Sequence, residues 1–467
     1  TYNIWNDTTP TDSVFSISTD VNANGVTYVA YLFASDAGGF GDDGDESIIK
    51  CGSYTGNNSA DGPTVTLGFE PQWVLIKESD MSGNSWSLYD MMRNGTMDQH
   101  LRPNASDAES IAAASPEVLP QATGFKLNTS SGRVNRGSNY IYIAIRRPMK
   151  TPESGTEVFQ ADTYSGNGAT TTTLGSGVAS AGNVLTIIKA VNNTTQNVWV
   201  DTMRGGGRYL RSDGTTAETN NSAFWTYDFK MNGWTITASG SEVNSGSWNY
   251  VAHTFKRATG FMDVVAYTGD GAATQDITHN LGASPDMIIV KQRTNSGTQW
   301  VQWNSETPNF STYLNNNIAN IQTGGQPYYV GQSVSSTTFR VSTDGSANQS
   351  NGSGNNYIAY LFATLAGVSK VGSYTGTGSD LNVDCGFSAG ARFILIKRTD
   401  STGDWYVWDS ARGIVAGNDP YLLLNSTAAE VTSTDYVDPL SSGFTVTSSA
   451  PAALNASGGS YIFLAIA

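Results

Sequence analysis

Short runs of apolar and aromatic residues, each preceded by a turn of Gly, Ser and Asn, recur along the chain. Five of these runs are near-copies of one another and occupy residues 28–34, 140–146, 250–256, 357–363 and 461–467. Each run is too short for a helix and is rich in the β-branched and aromatic residues that favour strands. The pattern therefore predicts a buried strand that closes a repeated β unit.

Other motifs precede this closing run in the same order in each repeat. They are marked by Tyr54, Tyr164, Tyr267 and Tyr374, then Lys77, Lys189, Lys291 and Lys397, then Trp86, Trp199, Trp300 and Trp405, and finally Phe125, Trp234, Phe339 and Phe444. The recurrence indicates an internal repeat of roughly 100 residues, which is long enough to bury its own core. The sequence therefore favours modules arranged like beads on a string.

We predict an all-β fold of tandem antiparallel β-sandwich modules with a jelly-roll-like arrangement, because strand candidates alternate with Gly, Asn and Ser turns. The predicted modules are module 1 at residues 48–147, module 2 at 158–257, module 3 at 258–364 and module 4 at 365–467. Residues 35–47 are predicted to be an acidic, Gly-rich linker, and residues 148–157 a second linker. The links between modules 2 and 3 and between modules 3 and 4 are short enough to hold consecutive modules in contact.

Residues 1–34 resemble only the C-terminal half of a repeat. Residues 13–17 match the motif that contains Phe125, and residues 28–34 match the closing run. Half a sandwich is not expected to stand alone. The sequence leaves two explanations open: the first half lies upstream of Thr1, or the segment packs on a neighbouring chain.

The composition suits turn-rich β structure with uncharged polar faces, since only 14% of residues are charged and 11% are aromatic. The net charge of −15 repels phosphate backbones, so nucleic-acid binding is not expected. Cys51 and Cys385 occupy different module positions, which predicts two isolated buried thiols rather than a disulfide. No apolar run approaches the ~18 residues of a membrane span, so no membrane insertion is expected.

One acidic loop is a weak calcium candidate. Hard oxygen ligands at close spacing suit Ca²⁺, and here they would come from Asp42, Asp43, Asp45 and Glu46. The loop lacks the order of an EF-hand, and the alternative is a solvated acidic linker. His100, His253 and His279 lie at unrelated module positions, so the sequence predicts neither a His-based catalytic triad nor a His metal cluster. No other cofactor is predicted.

An Asp-x-x-Arg motif follows the Trp motif in three of the four modules. Its members are Asp90 with Arg93, Asp201 with Arg204, and Asp409 with Arg412, each followed by an Ala-Glu pair at Glu109, Glu218 or Glu430. Module 3 replaces the motif with Trp303-Asn-Ser-Glu306. Carboxylates beside an arginine could perform acid–base chemistry on a glycoside. Because the motif recurs in three modules, we interpret it as a structural ion pair that braces a loop.

The aromatic residues divide into recurrent and non-recurrent positions. The recurrent Trp motif is predicted to pack in the cores. Non-recurrent aromatics are not needed by the shared fold, and Trp225, Tyr227 and Trp248 of module 2 are therefore the candidates for ligand contact.

Several long phrases resemble the repeat protein found in many bacteriophages of marine and freshwater bacteria, cyanophages among them. These phrases are DVVAYTGDG at residues 263–271, NNYIAYLFA at 355–363, KVGSYTG at 370–376 and FILIKRTDSTGDWY at 393–406. The resemblance implies a virion or tail-fibre-associated protein whose domain is largely of unknown function. It carries no catalytic motif, so no catalytic residue is predicted.

The resemblance leads to three hypotheses. The first is a non-enzymatic tail fibre or appendage of the virion that binds host-surface glycans and contacts other virion proteins. It is expected to be a homo-oligomer, and analogy with other fibres suggests a trimer. The second is a polysaccharide-degrading tailspike, which requires two carboxylates about 5–10 Å apart in a cleft. That hypothesis is overturned if Asp201 and Glu218 are held in salt bridges. The third is a capsid-decorating or purely architectural protein.

Overall fold

The computed structural model of the chain describes residues 6, 8–41, 44–93, 97, 99–111, 117–148, 150–168, 172–175, 178, 184–220, 225–230, 233–238, 242–320, 329–343 and 349–467. Regular structure in these residues is almost entirely β-strand. The helical segments are α1 at Ala452–Asn455 and the 3₁₀ turns Thr19–Val21 and Gly155–Glu157. Within the described ranges, no helix has the length and apolar character needed to cross a bilayer.

Module 1 is a sandwich of two antiparallel sheets. Its strands are β1 (Ile49–Thr55), β2 (Thr64–Thr66), β3 (Pro71–Glu78), β4 (Ser87–Asp90), β5 (Gln99–Leu101), β6 (Ser110–Ile111), β7 (Val118–Gln121), β8 (Gly124–Leu127) and β9 (Asn139–Arg146). The large sheet has the order β1-β9-β3-β4-β5-β6, and the small sheet has the order β2-β8-β7. The closing run is β9, and it therefore lies between β1 and β3 in the large sheet.

Modules 2 to 4 repeat this topology. Module 2 has β10 (Phe159–Ser165), β11 (Thr172–Gly175), β12 (Val184–Ala190), β13 (Val198–Asp201), β14 (Arg208–Arg211), β15 (Thr219–Asn220), β16 (Trp225–Lys230), β17 (Gly233–Ala238) and β18 (Asn249–Lys256). Module 3 has β19 (Met262–Thr268), β20 (Thr274–Thr278), β21 (Met287–Gln292), β22 (Trp300–Asn304), β23 (Ser311–Tyr313), β24 (Val330–Val334), β25 (Thr338–Ser342) and β26 (Asn356–Phe362). Module 4 has β27 (Ser369–Thr375), β28 (Leu381–Asp384), β29 (Phe393–Arg398), β30 (Trp405–Asp409), β31 (Leu422–Leu423), β32 (Val437–Leu440), β33 (Gly443–Val446) and β34 (Ser460–Ile466). The large sheets begin β10-β18-β12-β13, β19-β26-β21-β22 and β27-β34-β29-β30. The prediction of all-β sandwich modules is confirmed.

Each module has an inner core between its two sheets. In module 4 this core combines large-sheet residues such as Trp408 and Phe463 with small-sheet residues such as Phe444 and Val446. Inner cores of the same kind occur in the other three modules. The side chains that fill them alternate along each strand with side chains on the opposite face of the large sheet, because successive strand residues point to opposite faces.

A second core joins modules 2, 3 and 4, so beads on a string is wrong for this part of the chain. It is built from the outer faces of the three large sheets, meaning the faces turned away from the small sheets. The central strands β12 and β21 are buried along their whole length, and β29 is buried up to its last residue. Strands that are covered on both faces carry nearly continuous apolar runs, as these three do.

The three modules close a ring around this shared core. Trp199 of module 2 lies 5.0 Å from Trp300 of module 3, between ring centroids. Phe393 of module 4 lies 5.1 Å from Phe159 of module 2. Trp405 of module 4 donates its indole N–H to a carbonyl of module 3. Each module thus touches the other two, and we call modules 2 to 4 the ring.

The segment before module 1 contrasts with the ring. The described residues 8–34 include no strand, although they carry the first copy of the closing run. Val29, Tyr31 and Leu32 of that run are 77%, 83% and 73% exposed, whereas the corresponding residues at the end of module 4 are buried. The closing run therefore forms a buried strand only where the rest of its sandwich is present.

We expect Phe393→Ala to lower the free energy of unfolding of the ring by about 3–5 kcal/mol, because it opens a cavity between modules 4 and 2. Phe40→Ala is the control, since Phe40 is 45% exposed and lies outside the ring. Chemical denaturation of the two variants measures the difference. An equal loss in both would contradict a shared core.

Candidate functional site

The ring is held together by a set of polar contacts that repeats from one module to the next. One contact is a side-chain N–H that donates to the backbone carbonyl of a strand in the neighbouring module. The pairs are Trp300 Nε1 to Arg211 O at 2.9 Å, Trp405 Nε1 to Tyr313 O at 3.0 Å, and Asn197 Nδ2 to Leu423 O at 3.1 Å. The three acceptors occupy equivalent positions on β14, β23 and β31.

This register corrects the alignment of the Trp motif. The predicted equivalent of Trp300 and Trp405 in module 2 is Trp199, but strand pairing places Asn197 at that position and Trp199 two residues later. Asn197 keeps the hydrogen bond that the tryptophans make elsewhere. Trp199 is buried in the shared core, as the packing interpretation predicts.

The lysine that ends the second apolar run makes the next contact. In the ring, each of these lysines is buried and donates to a loop carbonyl of the neighbouring module. The pairs are Lys189 with Thr427 O at 2.8 Å, Lys291 with Thr215 O at 3.4 Å, and Lys397 with Ile318 O at 2.8 Å. Burial lowers the pKa of Lys189 and Lys397 to about 8 and that of Lys291 to about 7.

A backbone hydrogen bond completes each joint. Its donors are the amides of Glu218, Asn320 and Glu430, and its acceptors are the carbonyls of Arg293, Thr399 and Val191, respectively. Glu218, Asn320 and Glu430 lie in the loops that follow β14, β23 and β31, the strands whose carbonyls accept the first contact. Arg293, Thr399 and Val191 each lie two residues after a buried lysine of the neighbouring module. The same three kinds of contact therefore recur at all three joints of the ring.

Two Asp–Arg pairs of the predicted motif lie inside these joints. Asp201 binds Arg204 at 2.5 Å, both side chains are inaccessible to solvent, and Asp201 also accepts a hydrogen bond from the Tyr360 hydroxyl of module 3 at 2.8 Å. In module 4, Asp409 binds Arg412 at 2.5 Å and lies 2.8 Å from Nε2 of His253 in module 2. Burial alone would raise the pKa of Asp409, but the Arg412 guanidinium and His253 lower it below its ordinary value.

The same geometry explains the departure in module 3. Strand register makes Asn304 the equivalent of Asp201 and Asp409, and Leu464 the equivalent of His253 and Tyr360. Asp201 of module 2 meets Tyr360 of module 3, and Asp409 of module 4 meets His253 of module 2. The same order around the ring places Leu464 of module 4 next to Asn304 of module 3. A buried carboxylate there would have an apolar residue in place of a polar partner, and burying an unpaired charge is costly.

The glutamates of the motif are also held by arginines. Glu218 pairs with Arg293 at 2.8 Å and with Arg208 at 3.2 Å. Burial alone would raise the pKa of Glu218, but these arginines lower it below its ordinary value. Asp201 and Glu218 therefore form ion pairs and are not presented to a glycoside. The remaining pairs of the motif are Asp90–Arg93 at 2.7 Å, Arg93–Glu109 at 2.6 Å and Arg412–Glu430 at 2.8 Å.

The sequence analysis missed a buried charge cluster that fastens module 1 to the ring. Arg257 binds both carboxylate oxygens of Glu70, at 2.8 and 2.6 Å, and also binds Asp263 at 2.7 Å. Arg147 contacts the same two acids at 3.2 and 3.3 Å. Both arginines directly follow a closing run, and this shared position is the sequence signal that could have found them.

The remaining predicted site residues do not come together. Asp42 and Asp43 lie outside the described residues, while Glu46 pairs with Arg146. No group of three or more His, Cys, Asp or Glu side chains in the described part of the chain could hold a metal ion. Trp225 and Tyr227 belong to β16, and their side chains also lie outside the described residues. Trp248 is half-buried against the inner core of module 2, so it is not an open surface aromatic.

The free thiols follow the prediction only in part. Cys385 is buried in module 4, where burial raises its pKa to about 12. Cys51 is half-buried, and it lies on the outer face of the module 1 sheet, where its strand partner is Ile143.

A cleft of about 280 Å³ lies between modules 3 and 4. Its lining combines charged and polar groups with aromatic rings, and comprises Glu306, Lys370, Gly372, Ser373, Tyr374, Asn382, Val383, Asp384 and Phe463. The Ser373 hydroxyl donates to Glu306 at 2.6 Å and so connects the two modules. Carboxylate, amide and ammonium groups beside aromatic carbon can bind a polyhydroxylated ligand.

One protein family matches nearly the whole chain. The model for Domain of unknown function (DUF7483) matches residues 1–148 and 154–467, so the chain belongs to that family. The second matched segment contains the complete ring. No curated protein matches the sequence.

We expect Asp201→Asn to lower the free energy of unfolding by about 3 kcal/mol, because it removes the nearer of the two carboxylates beside buried Arg204 and leaves only Glu218, at 3.5 Å. The reciprocal variant Asn304→Asp is also expected to destabilise the ring, since module 3 has no arginine at the equivalent position. Urea unfolding measures both effects. A neutral Asn304→Asp would contradict the assignment of Leu464 to this position.

We expect the stability of the ring to rise with pH between about 7 and 10.5 through Lys291. The pKa of Lys291 is about 7 in the folded chain and 10.5 in an ordinary environment, so in this window the unfolded chain binds more protons. This contribution is complete above 10.5 and is lost as the pH falls through 7. Lys291→Met should flatten the rise, whereas Lys150→Met, with a side chain 68% exposed, should not. Thermal unfolding across this pH range measures the slope, and an unchanged slope in Lys291→Met would refute the assignment.

Proposed function

We propose that the chain is a non-enzymatic structural protein of a bacteriophage virion, a tail fibre or appendage that contacts glycans on the host surface. The resemblance of its long repeat phrases to phage repeat proteins supports the virion assignment. The observation that carries the structural role is the closed ring, in which three modules share one core and repeat the same joint. Such a body holds its surface features at fixed positions relative to one another.

The use of charged groups supports the same proposal. The carboxylates and arginines of the repeated motif bind each other or neighbouring modules. Asp201 and Glu218 are held in such ion pairs and are not available for acid–base catalysis. These ion pairs weigh against the tailspike hypothesis in the form that uses these two residues. They are equally suited to the capsid-decorating or architectural alternative, which differs in having no receptor.

The cleft between modules 3 and 4 is the part of the described surface that favours adhesion. Its volume is close to the lower limit of small-ligand pockets, which suits one sugar ring. A single site of this size binds weakly. Several copies on one particle raise the effective concentration of the next contact, and this avidity makes weak sites sufficient for attachment.

We expect the recombinant chain to bind host-surface polysaccharide on a glycan array and to reduce phage adsorption when added in excess. Ser373→Trp should abolish both effects by filling the cleft. Ser441→Trp is the control, because Ser441 is exposed in module 4 and does not line the cleft. Absence of binding to any host polysaccharide would contradict adhesion and leave the architectural role. Release of shorter saccharides from the polysaccharide would contradict the non-enzymatic assignment.

A further inference from the structure

Module 1 has the same outer face as the ring modules, but no other module covers it in the part of the chain that the structure describes. Strand register aligns the two sets of residues position by position. In module 1 they are Cys51, Trp73, Leu75, Ile141, Ile143 and Ile145, and their counterparts in module 4 are Val371, Phe393, Leu395, Ile462, Leu464 and Ile466. All six counterparts belong to the shared core of the ring.

The difference in exposure is large at equivalent positions. Ile141 is 43% exposed, whereas Ile462 is 1% exposed. Leu101 is 37% exposed, whereas its counterpart Leu422 is 2% exposed. The outer face of module 1 is therefore a more accessible copy of a surface that is buried three times elsewhere in the chain, with Ile141 exposed and the other five residues half-buried. Apolar surface left accessible to water in this way marks an interaction site.

The ring shows what this surface binds. Every ring module uses one set of positions on this face toward one neighbour and a second set toward the other, and the assignment is the same at all three joints. An interface in which all participants use the same positions can close with threefold symmetry when the participants are identical. The outer face is therefore complementary to two further copies of itself.

We propose that three copies of the chain assemble through the outer faces of module 1 and form a symmetric ring that corresponds to the ring of modules 2 to 4. The occupant of each face is thus module 1 of the other two copies. This goes beyond the proposed function, because it holds whether or not the chain binds a glycan.

Module 1 keeps the residues that make the polar joints. Trp86 corresponds to Trp300 and Trp405, and Lys77 corresponds to the buried lysines of the ring. In the trimer, Trp86 Nε1 would donate to the carbonyl of the partner's Arg102, which corresponds to the acceptors on β14, β23 and β31. Lys77 would reach the carbonyl of the partner's Ser106, four residues further on, at the spacing of Thr427 from Leu423 and of Thr215 from Arg211. Among the described residues of the single chain, Lys77 Nζ donates to the carbonyl of its neighbour Glu78 and to no other module.

The position next to Asp90 is also compatible with a symmetric trimer. The residue that would face Asp90 is the partner's Ile143, which is apolar like Leu464 of the ring. Asp90 already has a cationic partner, since Arg93 lies 2.7 Å away in the same module. Asn304 has no such arginine. An apolar neighbour can therefore be accommodated beside Asp90 without leaving its charge unpaired.

Sedimentation equilibrium or light scattering of the full chain tests the assembly. The expected mass is three times the 49.6 kDa of one chain. Ile143→Arg should reduce the mass to that of one chain, because it places three charges in the new core. Val415→Arg is the control, since Val415 is 50% exposed outside this face. A monomer or a dimer for the unchanged chain would overturn the proposal, as would a trimer that survives Ile143→Arg.

The alkylation rate of Cys51 provides an independent test, because it can be measured in the unchanged chain. Cys51 lies within the proposed interface, whereas Cys385 is buried in the inner core of module 4. Alkylation of Cys51 should be slow in the trimer and should accelerate at least tenfold upon dilution to monomer or in Ile143→Arg, with Cys385 unreactive throughout. A trimer in which Cys51 is alkylated at the monomer rate would place the contact elsewhere and overturn the proposal.

Discussion

Burial of both faces of the large sheets is the constraint on which the rest of this structure depends. A sandwich needs to cover only the inner face of each sheet, and the small sheet does this in every module. The outer faces of modules 2 to 4 are equally apolar, and water must be excluded from them as well. Three such faces cover one another around a common core, which turns a linear array into a closed ring.

Apolar burial alone would not determine how the three modules are ordered. The contacts at the Asp position supply that information, because Asp201 meets Tyr360 of module 3 and Asp409 meets His253 of module 2. The reverse order would place Leu464 beside Asp201, and a buried carboxylate without a polar neighbour is costly. Module 3 illustrates the point, since an uncharged Asn304 occurs where the neighbouring side chain is Leu464 rather than His or Tyr.

Most of the fold could be predicted from local pattern, whereas the site could be predicted only in part. The Asp–Arg pairs were recognised because both members lie in one short motif. Their partners Tyr360 and His253 were not, since each is more than a hundred residues away along the chain. The Trp motif was aligned by residue type, and the structure shows that Asn197 replaces Trp at the contact because either side chain can donate the same hydrogen bond.

The sequence by itself determined the all-β class and the repeated modules with their closing strands, because these follow from periodicity and turn residues within short stretches. Only the tertiary structure decided that three modules form a ring while module 1 keeps an open face. The closing runs at residues 140–146 and 461–467 are similarly apolar, yet only the second is covered on its outer side. Whether such a face is buried depends on which surfaces meet in space, and local sequence does not contain that information.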